Sequence, residues 1–448
     1  MKTRFLPLVV ASLSSLLATA DTNAPAPAAG IVATPEWIEL QSGALIAGHP
    51  GLSSARARFN AANAEAAGIR RIADPTVRLG GAVFDERNMK SREEGNLVYG
   101  LDQKLPVMGK ESAARKVAEA EAAAAATRVE GLFQQLRFDL ARTVYEAALA
   151  EEAVRIGTED LAWIEVAVDT AQTRYQSTQG SAVEVLRLQN ERTRRTTQLE
   201  SDRQRAAAAR AWVNHALGRE PLDPVPSFRL PDPAPALRST AALQQRAELN
   251  GPTLRQLERE RRAAQATVEA TRRSARPDLA VGVEGREYAG DAGFRNGTVT
   301  LSLSLPWWNR AAYRHDLERD RQRLHAVEQD GIEAGLTLRN EIHHELIEIA
   351  NARREAVAAR QELLPRTDQA LQAALAGWSS NRGMIADVLD ARRMHLEARL
   401  SEARAIAEQW TRLHGLARLC GLTARETLRL ATTESDPIPS KTGAVHTH

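Results

Sequence analysis

The sequence predicts a mainly α-helical fold with a small β contribution that crosses a membrane, built from one unit used twice. Three observations carry that expectation. Of the 448 residues, 43% are apolar and 26% charged but only 4% aromatic, and Ala, Arg, Glu, Gln and Leu fill long stretches, as in long helices. Sequence landmarks recur at an offset of 200 to 203 residues across nearly the whole chain. Short segments between the helical stretches alternate apolar and polar residues with period two, the pattern of a strand with one dry and one wet face.

Charge and cysteine usage exclude several classes. With 59 basic against 57 acidic side chains and no dense Lys/Arg block, the chain lacks the field a phosphate backbone requires, so no nucleic-acid partner is expected. A single cysteine, Cys420, rules out an intrachain disulfide and any multi-cysteine zinc or iron–sulfur site.

The first 20 residues read as a signal peptide: Lys2 and Arg4 precede the apolar run Leu6 to Leu17, and Ala18-Thr19-Ala20 fits a small-x-small cleavage site. Residues 21–34, rich in Ala, Pro and Thr, form a flexible tether. No cysteine follows the cleavage site, which excludes lipid attachment there. No later run reaches the ~18 consecutive apolar residues of a spanning helix. The mature chain is therefore either soluble in the periplasm or crosses a membrane by strands.

The repeat sets the remaining boundaries. His49-Pro50-Gly51-Leu52 returns as Gly251-Pro252-Thr253-Leu254, Asp74-Pro75 as Arg276-Pro277, and Leu105-Pro106 as Leu305-Pro306. Gly180 matches Gly383, Val185-Leu186 matches Val388-Leu389, and Gly218 matches Gly421. The first repeat covers 35–220, a Pro-rich linker 221–240, the second repeat 241–422, and a C-terminal tail 423–448. Each unit, much longer than a solenoid repeat, reads helix, strand, strand, long helix, helix. In the first, a helix runs from about Pro35 to Ile72, strands cover Thr76 to Phe84 and Asn96 to Leu105, a second helix spans Lys110 to Gln179, and a third ends near Leu217. The second places a helix up to Ala275, strands at Leu279 to Glu287 and Gly297 to Leu305, a long helix to Ser380, and a last one to Leu419. Pro365, without a counterpart in the first unit, should kink or break its helix.

In Thr298 to Leu305 hydroxyls alternate strictly with aliphatics. Val299, Leu301, Leu303 and Leu305 are then expected to face lipid, with Thr298, Thr300, Ser302 and Ser304 facing water, as in a membrane barrel. An ordinary half-buried strand of a soluble sheet is the competing reading, and the secretion signal weighs against it. Four strands cannot close a barrel, and an open edge in lipid leaves backbone groups unpaired. Several chains must pool their strands, with the long helices continuing the ring as a tube.

Gln103–Lys110 and Leu303–Arg310 are matching strand-to-helix junctions, and Tyr175–Gln189 and Ala386–Arg392 matching helix turns. In these segments and in the duplication, over roughly Trp37 to Leu422, the chain resembles the TolC-like outer-membrane efflux channels. The likeness is closer to their heavy-metal branch, of the cobalt–zinc–cadmium and copper–silver type. The family often has glycine where Thr178 and Asn381 stand here. The resemblance implies a homotrimer with a twelve-stranded β-barrel in outer-membrane lipid above a twelve-helix periplasmic tunnel. It also implies a periplasmic adaptor and an inner-membrane, proton-driven pump of the resistance–nodulation–division class as partners. It assigns Asp387 and Asp390 to the periplasmic aperture; the repeat puts Glu184 and Arg187 at equivalent positions, where Arg187 could pair with Asp390 of a neighbouring helix. Gly180 and Gly383 mark the helix-turn tips and Pro106, Gly109 and Pro306 the strand-to-helix junctions, while Trp307 and Trp308, at a strand end, suit either the membrane interface or packing at the barrel–tunnel junction. The function implied is a passive export duct for heavy-metal cations, with drugs or other organic compounds as alternative cargo. A pore-less periplasmic helical scaffold is a further alternative.

Other clusters carry less. His343, His344, Glu345 and Glu348 lie close on a helix, but His-Glu-x-x-Glu is not the zinc-protease motif, and a solvated helix face accounts for it. His446 and His448 belong to the tail, and Cys420 reads as a small core residue. No phosphate loop, nucleophile constellation or metal-ligand set is present, so neither enzymatic activity nor a cofactor is expected.

Overall fold

In the computed structural model, residues 30–81, 97–177, 180–237, 241–288 and 293–432 are described. The leader, residues 82–96, Thr178, and the tail histidines fall outside them. The chain begins with β1 (Ile31–Val32), α1 (Pro35–Gly48) and α2 (Pro50–Gly68), followed by β2 (Thr76–Gly81), β3 (Leu97–Leu105), α3 (Lys110–Gln176) and α4 (Ala182–Leu217). The linker contributes β4 (Phe228–Arg229), and the second unit supplies α5 (Ala241–Asn250), α6 (Pro252–Ser274), β5 (Leu279–Tyr288) and β6 (Gly293–Leu303). After a 3₁₀ turn at Pro306–Asn309 come α7 (Arg310–Ala358), α8 (Leu364–Ser379), α9 (Ile385–Cys420) and α10 (Ala424–Thr432). The 67 residues of α3 make a rod of roughly 100 Å at 1.5 Å per residue.

The duplication is visible in the helix ends. Gly218 and Gly421 both take the left-handed conformation, with φ of 71° and 65°. Each closes its helix with the same pair of bonds: Gly218 N–H to His215 O and Arg219 N–H to Asn214 O, Gly421 N–H to Arg418 O and Leu422 N–H to Ala417 O. This is the Schellman arrangement, which a residue with a Cβ adopts only under strain.

Three expectations are corrected by the structure, and one is met. The first helix of each unit is two helices, broken at His49 and at Gly251, where ψ turns to 121° and 129°. The cause is the following proline, which pushes its predecessor out of the helical region. His49 turns the break into a cap, its Nδ1 accepting from Gly51 N–H at 3.1 Å. The α-helix is interrupted at Pro365, as the proline predicts: a π turn at Ala359–Leu363 separates α7 from α8, and that wider turn absorbs the bond the proline cannot donate. The segments read as tether and linker pair with one another, Ile31 with Phe228 and Val32 with Arg229 in a parallel bridge. The tail opens with α10, whose Thr427 and Ala431 are buried. Its start is a capping box: Thr423 N–H donates to Glu426 Oε2 at 2.9 Å, and Glu426 N–H donates back to Thr423 Oγ1 at 3.2 Å.

Two apolar cores hold the helices. The larger one gathers Ile38, Leu45, Leu140, Val144, Tyr145, Leu413 and Leu416 where α1, α3 and α9 meet the linker. The linker is held there by side chains of α9: Gln409, fully buried, bonds both Ala234 N–H and Ala234 O, and Trp410 Nε1 donates to Asp232 O. Cys420 is buried in this core, and burial pushes its thiol up to about 12.

The same core contains His414, whose Nε2 lies 3.4 Å from the Tyr145 hydroxyl. Burial, and then the nearby Arg137 charge, hold this imidazole down to about 3 from an ordinary 6.5. A base neutral in the folded chain and protonated in the unfolded one costs stability as pH falls. Its contribution is complete above about pH 6.5 and is lost progressively toward about pH 3. A His414→Gln variant should therefore lose less denaturant resistance than wild type between about pH 7.5 and about pH 5. Equal losses in the two proteins would exclude His414 as a source of acid sensitivity.

Candidate functional site: the strand sheet and the helix tips

The four long strands form one antiparallel sheet in the order β2-β3-β5-β6, so the two units meet at its centre through β3 and β5. Register fixes its faces, because residues directly opposite share a side. Thr76 opposes Asp102, which opposes Gly282, which opposes Thr300; Val77 opposes Leu101, which opposes Val283, which opposes Val299.

 One face therefore carries Val77, Leu79, Tyr99, Leu101, Val283, Val299, Leu301 and Leu303, all exposed in the single chain. The other carries Thr76, Arg78, Asp102, Glu284, Thr300 and Ser302. On that face Arg78 pairs with Asp102 and sits 3.5 Å from Glu284, tying β2 to β3 and β5. Strands β2 and β6 each pair on one side only among the described residues, which leaves two open backbone edges.

The junction residues lie where these strands enter the helices. Gly109 takes φ 72° immediately before α3, and its carbonyl accepts from Arg273 Nη1 at 3.3 Å while Met108 O accepts from Arg276 Nη1 at 3.1 Å. These contacts join the first unit's junction to α6 of the second. Pro106 is half-buried and Pro306 buried. Strand β6 ends at Leu303, so Trp307 and Trp308 lie in the 3₁₀ turn beyond it rather than at its last residues, exposed by 55% and 84%.

At the opposite end, Gly180 and Gly383 sit in the turns joining α3 to α4 and α8 to α9. Ser181 caps α4, accepting from Val183 N–H at 3.2 Å. Asp387 caps α9: its Oδ2 accepts from Met384 N–H at 3.2 Å, a bond that also places a negative charge at the positive end of the helix. Asp390 and Arg187 are exposed and Glu184 half-exposed. The structure keeps Asp387 and Asp390 together on α9 and Glu184 with Arg187 on α4. Within one chain it forms no ion pair between the two sets.

Arg174 and Asp160, which sequence reasoning did not single out, lock this end together with Asn381. Arg174 of α3 donates to Trp378 O at 2.9 Å and to Asn381 Oδ1 at 2.7 Å, with its guanidinium 5.0 Å from the Trp378 ring centroid. Asn381 itself takes φ 60°, so it does the backbone work of a glycine while offering Arg174 an acceptor. Deeper in the helices Asp160, with a side chain 1% exposed, meets Arg392 of α9 at 2.9 Å and Arg195 of α4 at 3.3 Å. A signal for Asp160 existed: it interrupts the buried stripe Ile156, Ile164, Val168, Ala171 on α3, where an acid implies a cationic partner. Arg174 offered none, since its contacts lie about 200 residues away in sequence.

Among the described residues no three or more His, Cys, Asp and Glu side chains are grouped to hold a metal ion. Glu345 is half-buried, 3.6 Å from Arg412, and desolvation raises it above the ordinary carboxylate range. No helix among the described residues is long and apolar enough to cross a membrane.

Comparison with known proteins agrees with this architecture. Residues 243–422 match the family described as outer membrane efflux protein. By sequence the chain matches no curated protein. Among solved structures it is similar to CusC, at 14% identity and a TM-score of 0.74 over 90% of this chain and 96% of that one. It is also similar to the outer membrane protein VceC of Vibrio cholerae, at 16% identity and a TM-score of 0.72 over 86% and 96%. The outer membrane channel CmeC of Campylobacter jejuni aligns at 13% identity and a TM-score of 0.71 over 96% and 98%. At such identities the likeness establishes the fold: mainly helical with a small sheet, as in those outer-membrane proteins.

Proposed function

We propose that the chain is the outer-membrane duct of a tripartite, proton-driven efflux system, and that its cargo is heavy-metal cations. The observation that carries this is the sheet. One face is apolar through Val77, Tyr99, Leu101, Val283, Val299, Leu301 and Leu303, with Gln103 and Glu287 in line with it, and is uncovered; the other holds charged and hydroxyl side chains, and both edges are open. Edges and an apolar face of that kind are liabilities in water, and both are resolved when strands from further copies close a barrel in lipid. Three copies give twelve strands, with the helices forming the periplasmic tunnel. A pore-less scaffold has no use for such a sheet. The family match over the second unit supports export, with a periplasmic adaptor and an inner-membrane resistance–nodulation–division pump supplying the drive. The chain itself is a passive conduit, not an enzyme.

The cation reading rests on Asp387 and Asp390, whose copies would surround one axis in a trimer, because a ring of carboxylates favours cations. Single-channel conductance with Asp387→Asn and Asp390→Asn combined is the test. Asparagine keeps the cap on α9, so the fold is retained while the charge is lost. Cation preference and block by trivalent ions should fall, on the ring-of-charge rule. If both survive, these residues do not form the constriction. Deleting the gene and comparing resistance to zinc, cadmium, cobalt and copper with resistance to organic compounds decides the cargo.

A further inference from the structure

The charge of this nearly neutral chain is concentrated in one place. The four strand–helix joints, each taken with two turns of its helix, are residues 62–76, 104–116, 268–278 and 306–316. Together they hold eleven Arg and Lys against six Asp and Glu, a net of +5 in a chain whose total is +2. Several of these cations are neutralised locally, Lys104 and Lys110 by Asp278 and Arg273 by Glu269.

The joint after β6 is different. Trp307 and Trp308 are the exposed aromatic pair of its 3₁₀ turn. Arg310 and Arg314 follow at three and seven residues from Trp307, along one side of the turn and helix. Both are exposed, and neither has an acidic partner among the described residues; the first acid of α7, Asp316, pairs with Arg319 instead. The first turn of α7 contains no acidic residue, so two cations stand at the positive end of a helix, where electrostatics favours an anion.

We propose that Trp307, Trp308, Arg310 and Arg314 form a docking surface for the anionic headgroup of a phospholipid in the periplasmic leaflet. The inference rests on the outer-membrane reading above. The patch follows β6 after the exposed Leu303 and Leu305, so a lipid whose acyl chains lie against Leu301 and Leu303 places its headgroup near this turn. The indole rings occupy the level between hydrocarbon and water, and the unpartnered arginines supply the charge complementary to a phosphodiester. A zwitterionic headgroup, with its own cation, gains less there.

The test uses the full-length protein in proteoliposomes of phosphatidylethanolamine containing either acyl-brominated phosphatidylglycerol or acyl-brominated phosphatidylcholine at the same mole fraction. The readout is quenching of tryptophan emission, with the Trp307→Phe, Trp308→Phe double variant subtracted. Brominated phosphatidylglycerol should quench about twofold more strongly, and Arg310→Gln with Arg314→Gln should reduce it to the phosphatidylcholine level. Equal quenching by the two lipids overturns the headgroup preference and leaves the outer-membrane reading standing. A preference that survives the double arginine change overturns the role of these residues. No quenching by either lipid removes the turn from the bilayer and overturns both readings.

Discussion

If Leu301 lies near the bilayer midplane, Leu301→Arg should cost about 2–4 kcal/mol and deplete assembled protein from the outer membrane, whereas Thr300→Arg should be tolerated. The two positions are adjacent on β6 but face opposite ways: Leu301 opposes Val281 on the apolar side, and Thr300 opposes Gly282 on the side of Asp102. An arginine on the lipid face near the midplane must be desolvated or drawn to the interface, while one on the water-facing side keeps its hydration. The measurement is the yield of heat-resistant oligomer in the membrane fraction, with urea midpoints in vesicles for the energy. Equal defects at the two positions would end the barrel reading.

Asp160→Ala should be the most damaging change in the helical region, at about 3–5 kcal/mol. It removes the one anion facing Arg392, whose side chain is only 15% exposed and lies over the Trp163 ring at 4.8 Å. Arg195 suffers less because Glu191 also holds it, at 2.8 Å. The cost is that of an uncompensated buried charge and not of a lost attraction, so removing both charges together should restore much of it. The Asp160→Leu, Arg392→Met double variant is therefore expected to unfold closer to wild type than Asp160→Ala does in a denaturant titration. If the double variant is the weaker of the two, the pair contributes net attraction and the desolvation argument fails.

How much of this was legible in the sequence depends on the range of the interaction that decides each feature. The duplication, most of the strand positions and the helix ends at Gly218 and Gly421 are local patterns that stand close to where the sequence put them, though β6 starts four residues earlier and stops at Leu303, leaving Ser304 and Leu305 outside it. The breaks at His49 and Gly251 are local as well, since each precedes a proline. The capping box at Thr423 and Glu426 was likewise present in a segment whose composition resembled a tail. The locks at the helix tips are another matter. Arg174 meets Trp378 and Asn381, and Asp160 meets Arg392, across more than 200 residues, and no spacing rule within one helix reports such a pair. Asp387 is intermediate: its cap on Met384 N–H follows from its position three residues into α9, but any role at an aperture depends on other copies of the chain.

The bridge between β1 and β4 bears on the order in which the chain can fold. Ile31 pairs with Phe228 and Val32 with Arg229, a separation of 197 residues in the sequence. A chain threaded through a membrane from its amino end exposes Ile31 long before Phe228 emerges. Closing so long a loop is slow, and the two-residue bridge returns little for it. The docking of β1 must therefore wait until α3 and α4 have formed the hairpin that carries the linker back, so the earliest part of the chain to arrive is among the last to find its place.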